Sequence, residues 1–339
     1  MSDSPASGTP RDVDGFLAQA GWGRAERRML AGDASFRKYY RLTEGTRVAV
    51  LMDAPPPQED VRPFARIARH LDRLGFSAPR ILAEDAVQGF LLLEDFGDAT
   101  YTRLLAAGAD ETALYALAVD LLVALHRHGD ATRIEIPAYD DERLLNEAAL
   151  LTDWYMPAIF GRQTDEAQRN AYLAAWRSVL PDARYGAPTL VLRDYHVDNL
   201  MVLKGRSGIA ACGLLDFQDA VIGPAAYDLV SLLEDARRDV PADLAAAMMT
   251  RYLDAFAMID AAKFRAAYAI LGAQRNAKII GIFTRLMARD KKPHYLRHVP
   301  RVWRLLESDL AHPALTPVRD WFARVLPPEK RIVPSTPSA

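Results

Sequence analysis

The sequence predicts an α+β fold in two lobes: a small N-terminal antiparallel sheet with one helix, then a larger, mostly helical C-terminal lobe. Three observations carry that reading. Short runs rich in aromatic and β-branched residues, bounded by Gly and Pro, fall within the first 95 residues. From residue 110 onward, apolar residues recur with the helical period of about 3.6. Between the helical stretches, residues 188–219 hold three short apolar runs that each end at or open on an Asp or Asn. A chain of 339 residues is long enough for two such lobes.

The totals exclude several classes. Half the residues are hydrophobic and a quarter charged, an ordinary soluble composition. A net charge of −2 without a dense Lys/Arg block gives no reason to expect nucleic acid. No apolar stretch reaches membrane-spanning length, and residues 1–10 lack the basic start and apolar core of a secretion signal. A lone Cys212 excludes an internal disulfide framework. The expectation is a soluble, cytoplasmic monomer.

Taken in order, residues 1–11 are Ser/Pro/Gly-rich and read as disordered. Residues 12–20 form a short helix candidate, and Gly21-Trp22-Gly23 a turn. Residues 32–42 read as a hairpin strand that starts at Gly32-Asp33-Ala34-Ser35 and carries Phe36, Tyr39 and Tyr40. Small residues at 32, 34 and 35 would let backbone N–H groups approach a phosphate, or simply make a turn. Residues 47–52 are the next strand, ended by Pro55-Pro56-Pro57. Phe64, Ile67, Ala68, Leu71 and Leu74 place a helix over 61–74, with Glu59 and Asp60 at its start and Gly75 at its end. Residues 81–83 and 90–93 are further strands, and the second runs into Glu94-Asp95-Phe96.

Leu114, Leu117, Ala118, Leu121, Leu122 and Leu125 mark a core helix ending before Gly129, with His126 and His128 expected on its surface. Residues 140–160 and 164–180 are two further helices, separated at Pro157 and Gly161. Trp154 and Tyr155 could stack on a ligand or sit in the core. Helices follow from Asp228, over 241–258 and 260–288, and around 295–310. Residues 327–339, with prolines at 327, 328, 334 and 337, read as a flexible tail.

Within 188–219 the run 190–192 delivers Asp194, Asn199 opens the run 200–203, and the run 209–215 ends in Asp216. Mg²⁺ takes oxygen ligands, typically one or two carboxylates plus substrate phosphates. A further carboxylate can receive the proton of an acceptor hydroxyl. Phosphoryl transfer uses such a set: an Asp, an Asn five positions on, and a separate Asp opening D-F-G. Here these are Asp194, Asn199 and Asp216-Phe217-Gln218. Asp and Asn also mark plain turns, but three in this order, each flanked by apolar runs, point to chemistry.

The blocks D-Y-H-V-D-N-L-M (194–201), L-L-D-F-Q-D-A (214–220) and G-P-A-A-Y-D-L-V-S (223–231) resemble the aminoglycoside phosphotransferase/choline kinase-like family. More narrowly, G-D-A-S-F-R (32–37), V-L-M-D-A-P (50–55), L-L-L-E-D-F-G-D (91–98) and Q-R-N-A-K (274–278) resemble the anomeric kinases of N-acetylmuramate and N-acetylglucosamine in bacterial cell-wall recycling. The likeness covers most of residues 12–310. It implies a bilobal protein-kinase-like fold, with a nucleotide-binding lobe at 12–95 and a catalytic and acceptor-binding lobe at 96–326. It implies ATP and Mg²⁺, and transfer to the anomeric hydroxyl of a small amino sugar. Asp194 would be catalytic, with Asn199 and Asp216 as metal ligands. Gly32, Asp33, Ala34, Ser35, Phe36 and Arg37 would meet the phosphates, and Glu94, Asp95 and Phe96 the nucleobase. His196 and Asp228 would be structural supports, Asp228 by hydrogen-bonding the catalytic loop.

Two departures from the wider family stand out. No lysine occupies 48–53, where the V-A-I-K pattern would put one, which leaves Arg37, Lys38 or Arg41 nearest to hand. Arg193 stands where glycine commonly precedes the catalytic Asp. The recycling-kinase subset resembles this chain in both. Arg275 and Lys278 share a helix face in an otherwise apolar segment, so they either pair with core acids or meet an acceptor's carboxylate. Other acceptors (aminoglycoside, choline-like amine, homoserine) fit the same fold. A non-catalytic nucleotide-binding pseudokinase would suit the missing lysine, while the Asp194/Asn199/Asp216 set opposes it.

Overall fold

A computed structural model describes residues 11–32 and 36–335. The chain divides into two compact units, Met1–Arg103 with Met201–Asp219, and Leu104–Leu200 with Ala220–Ala339.

The first unit opens with helix α1 (Val13–Gln19), started by Asp12, whose side chain accepts the Gly15 N–H. Strands β1 (Glu26–Gly32), β2 (Lys38–Glu44) and β3 (Arg47–Asp53) form a meander. Helix α2 (Arg62–Arg73) follows, then β4 (Ile81–Asp85) and β5 (Phe90–Leu93). Among the described residues these strands make one antiparallel sheet in the order β1-β2-β3-β5-β4. Side chains alternate across a strand, so Leu42, Ala49, Leu51, Phe90 and Leu92 reach one core cluster with Phe16, Leu17 and Trp22. β5 lies inside the sheet and is buried along its length, which explains its all-apolar sequence. β1 is absent from the sequence reading because it is an edge strand opening on Glu26, Arg27 and Arg28. Charge suits an edge but erases the apolar signal. The hairpin therefore pairs β1 with β2 instead of starting at Gly32.

The chain continues through α3 (Tyr101–Ala106) and α4 (Glu111–Arg127). In α4 the expected stripe is buried at Leu114, Ala118, Leu121, Leu122 and Leu125, while Leu117 is only half-buried. His126 is not a surface residue. Its Nδ1 lies 2.7 Å from the Tyr252 hydroxyl, and burial pushes its pKa down to about 3, so the ring is neutral. The helix expected over 140–160 is α5 (Asp141–Ala148), a π-helical turn (Leu151–Tyr155) and α6 (Met156–Phe160). Pro157 sits in the first turn of α6, where its missing N–H costs nothing. α7 (Glu166–Ala183) leads to β6 (Pro188–Val191).

β7 (Leu200–Val202) and β8 (Cys212–Leu214) pair with each other and return to the first unit. There Val202 N–H donates to the Ala99 carbonyl at 2.9 Å and Leu214 N–H to the Ser77 carbonyl at 2.8 Å. A single division after residue 95 did not anticipate this return. β9 (Val221–Pro224) then pairs antiparallel with β6, Val191 opposite Val221. α8 (Ala226–Leu233) is buried throughout, and α9 (Ala242–Asp254) follows. The central α10 (Ala261–Ala288) packs on α5, α7, α8 and α11 (Val299–Leu310). A Cβ on Gly281 would come 2.3 Å from the Leu150 carbonyl carbon, so glycine is what lets α10 approach the π turn.

The sequence reading stopped at 310, but α12 (Thr316–Val325) closes the unit, its Trp321 ring 4.6 Å from Tyr172. Residues 327–335 are docked where a flexible tail was expected. The Tyr155 hydroxyl donates to the Ile332 carbonyl at 2.7 Å, and Arg331 pairs with Glu307 at 2.7 Å. Tyr155 is thus a core residue.

Candidate active site

β6 is buried at Thr189, Leu190 and Val191, and the chain turns sharply just beyond it. Arg193 has φ 70°, a left-handed conformation that glycine adopts freely and other residues at roughly 1–2 kcal/mol. That is the physical content of a glycine at this place in the wider family. Here the turn is held from α8. Asp228 Oδ2 accepts the Leu192 N–H at 2.6 Å, and Oδ1 accepts the Arg193 N–H at 2.8 Å. Burial pushes the Asp228 carboxyl up to about 7, against the pull of those two amides. The Arg193 guanidinium pairs with Glu147 and lies 5.5 Å from the centroid of the Tyr139 ring.

Asp194 is thereby placed at the strand end. Burial opposes its charge, but the groups around it, Lys278 foremost and then His196, Arg275 and Arg193, hold it below the usual carboxylate range. It is ionised at neutral pH and can accept a proton. Tyr195 pins the loop to α4 by donating to the Ala118 carbonyl at 2.8 Å. Asn199 Nδ2 donates to the Asp194 carbonyl at 2.9 Å, closing the loop on itself. His196 is buried and its pKa is lowered by that burial. Its Nε2 lies 3.4 Å from both Asn199 Nδ2 and Arg237 Nη1, which can only donate, so Nε2 accepts. The neutral ring is engaged as a brace.

The two cations expected on α10 part company. Lys278 Nζ meets Glu147 at 3.0 Å and is the strongest charge acting on Asp194. Arg275 is buried against α8, donating to Ser231 Oγ at 2.9 Å. The expectation that Arg275 faces a ligand gives way to a fold-internal role, because its fork is already spent on α8. Sequence reasoning missed Glu147 and Tyr139. Glu147 sits on the stripe of α5 that buries Leu144 and Ala148, and an acid on an apolar stripe was the available signal.

The first unit holds the other expected residues. Gly32 ends β1, paired with Lys38. Asp33, Ala34 and Ser35 lie outside the described residues. Phe36 N–H donates to Glu59 at 3.1 Å, and Arg37 Nε pairs with Glu59 at 3.4 Å. Glu59 therefore precedes α2 and serves as a partner for a cation, where a helix-start role was expected. Arg41 grips Asp95 through Nε (2.5 Å) and Nη2 (3.0 Å), and reaches Asp98 at 2.9 Å. Glu94 receives Arg206 at 2.5 Å and Arg80 at 3.1 Å. Phe96 packs so closely on Gly213 that a Cβ there would lie 2.9 Å from its ring. Residues 94–99 with Val202, Leu203, Lys204 and Arg206 line a cleft of about 550 Å³.

Asp216 follows β8 with φ 56°, a conformation Asp tolerates better than most residues, and Gln218 Nε2 donates to its Oδ1 at 2.9 Å. Phe217 stacks on Phe64 of α2 with centroids 4.8 Å apart. Among the described residues no group of three His, Cys, Asp or Glu side chains could hold a metal alone. Asp216 in the first unit offers a carboxylate oxygen, and Asn199 in the second an amide oxygen. Such hard oxygens fit Mg²⁺ completed by phosphates, and do not fit a Zn²⁺ cage.

Comparison with known proteins extends this picture. The model of the phosphotransferase enzyme family matches residues 26–266. An N-acetylmuramate/N-acetylglucosamine kinase of Caulobacter vibrioides is 37% identical over 350 residues, covering 93% of this chain and 96% of that one. The kinase of the same name from Pseudomonas aeruginosa is 40% identical over 310 residues, covering 87% and 88%. An aminoglycoside phosphotransferase solved as a ternary complex with streptomycin and ATP is only 16% identical, but superposes with a TM-score of 0.57 over 93% of this chain and 98% of that one.

Proposed function

The chain belongs to the phosphotransferase enzyme family, and from that premise we propose that it phosphorylates the anomeric hydroxyl of N-acetylmuramate and N-acetylglucosamine. The observation that carries the reading is Asp194, ionised among cations at the end of β6 on a turn clamped by Asp228. The names of the 37% and 40% identical relatives support the acceptor. ATP is the proposed donor, with the chain acting as a cytoplasmic monomer.

The anomeric oxygen bonds to the γ-phosphorus, the bond from that phosphorus to the β–γ bridging oxygen breaks, and ADP leaves. The acceptor's proton passes to the Asp194 carboxylate. A hemiacetal hydroxyl is more acidic than an ordinary alcohol, so a carboxylate of low basicity suffices. Asn199 and Asp216 are the proposed Mg²⁺ ligands, and that ion when bound offsets charge on the phosphates. Arg37 is the proposed phosphate contact, and Glu94, Asp95 and Phe96 the nucleobase contacts. Lys278 is the proposed acceptor contact. Catalysis of this kind is mostly positioning and charge stabilisation.

The test is ADP release from ATP and Mg²⁺ with N-acetylmuramate, N-acetylglucosamine, their 1-O-methyl glycosides, kanamycin, choline and homoserine. Turnover of the free sugars and silence with the 1-O-methyl forms is expected. Turnover of another acceptor in their place sinks the acceptor assignment, and silence across the panel with nucleotide still bound sinks the enzymatic one.

A further inference from the structure

Glu147 has no role in the chemistry above, yet three groups converge on it. Its carboxylate pairs with Lys278 Nζ at 3.0 Å and with the Arg193 guanidinium, and accepts from the Tyr139 hydroxyl. Only 14% of its side chain is exposed. Burial disfavours its charge, but Lys278 and Arg193 outweigh that and keep the carboxyl below its ordinary range. Glu147 thus offsets part of the positive charge that Lys278 and Arg193 bring to Asp194. The two cations are also among those that act on Asp194.

The proposed acceptors differ by one charge. N-acetylmuramate carries a lactyl carboxylate and N-acetylglucosamine is neutral. A carboxylate is what a lysine and an arginine side by side would hold. We infer that Glu147 sets the charge preference of the acceptor site: as an internal carboxylate on Lys278 and Arg193, it lets a neutral and an anionic N-acetylated sugar be used by one site. The inference rests on the acceptor reading above. With Glu147 neutralised, the surplus beside Asp194 is positive and favours the anionic sugar. With Lys278 neutralised, the surroundings of Asp194 are more negative than in the wild type and favour the neutral one.

The experiment measures kcat/KM for both sugars in the wild-type chain, Glu147→Gln and Lys278→Met. The anionic-to-neutral ratio should rise by about tenfold in Glu147→Gln and fall by a similar factor in Lys278→Met, the size of a shift of about 1.4 kcal/mol. A Glu147 that only ties α5 to α10 would slow both sugars equally and leave the ratio where it was. Unchanged ratios, or shifts in the same direction, overturn the inference. Should Glu147→Gln fail to fold, the double variant Glu147→Gln/Lys278→Met decides: it removes one charge of each sign and should return the ratio to the wild-type value, whereas a ratio as low as that of Lys278→Met overturns the inference. Wild-type turnover with unchanged ratios overturns this inference and keeps the acceptor reading. A wild-type chain that uses neither sugar overturns both.

Discussion

The two units handle charge in opposite ways. In the first, Arg37–Glu59, Arg41–Asp95 and Arg206–Glu94 are pairs in which at least one side chain stays open to solvent. In the second, Asp228, Glu234 and Asp309 are buried, and Asp194 is held among the charges of Lys278, Arg275 and Arg193. Partly exposed pairs are weak, about 0–1 kcal/mol each, and can exchange partners. Buried groups cannot leave their partners without a penalty of several kcal/mol. Under the function proposed above, the difference is a division of labour: the second unit would preorganise a base, and the first would keep cations for a phosphate to recruit.

The largest effect expected from breaking that contrast is in the second unit. Asp194→Asn should lower kcat roughly 10²–10⁴-fold, the usual contribution of a positioned base. Nucleotide affinity should be unchanged by isothermal titration. A variant that retains turnover would remove Asp194 from the reaction. A smaller effect is expected in the first unit. Arg37→Met should raise KM for nucleotide about tenfold, the loss of one charge-assisted contact. Its melting temperature should hardly move, since the pair with Glu59 contributes little to stability. A large loss of stability with unaltered KM would reverse the roles and make Arg37 a structural cation.

Legibility in the sequence follows the same line. Apolar periodicity revealed α2 and α4, because burying one face leaves a stripe. The Asp194, Asn199 and Asp216 set stood out because each borders a short apolar run. What stayed hidden depended on pairing at a distance. β1 is charged because it is an edge, and α12 begins at Thr316-Pro317 after the pattern had been taken to end. Glu59 and Glu147 looked like ordinary helix acids until Arg37, Arg193 and Lys278 were brought to them from elsewhere in the chain. For Arg275 the sequence left internal pairing and an acceptor contact both open, for the same reason. Its spacing puts it on a face with Lys278, but only the packing of α10 on α8 spends its guanidinium on Ser231. The docking of 327–335 rests on Tyr155 and Glu307, which no proline count discloses.

The smallest effect sharpens the contrast through pH. Asn276 Nδ2 donates to Glu234 at 2.8 Å and to Asp309 at 3.0 Å, so two carboxyls share one buried amide. Burial, with the charge of Glu234 beside it, raises Asp309 well above the usual range, and burial raises Glu234 as well. Groups raised on folding contribute fully below their unfolded pKa, and that contribution is lost as pH rises through the folded values. The pair therefore weakens the fold as the solution becomes alkaline. Asp98 in the first unit has the opposite sign. Its hydrogen bond from Arg41 lowers it, so what it contributes is lost as pH falls. Asp309→Asn removes one of the two raised carboxyls. Its melting temperature should exceed that of the wild type by a few degrees at pH 8.5, about 2–4 °C per kcal/mol for a unit of this size. The two curves should converge toward pH 5. Parallel melting curves across that range would mean that the buried pair does not titrate with folding, and that burial alone does not distinguish the second unit's charges from the first's.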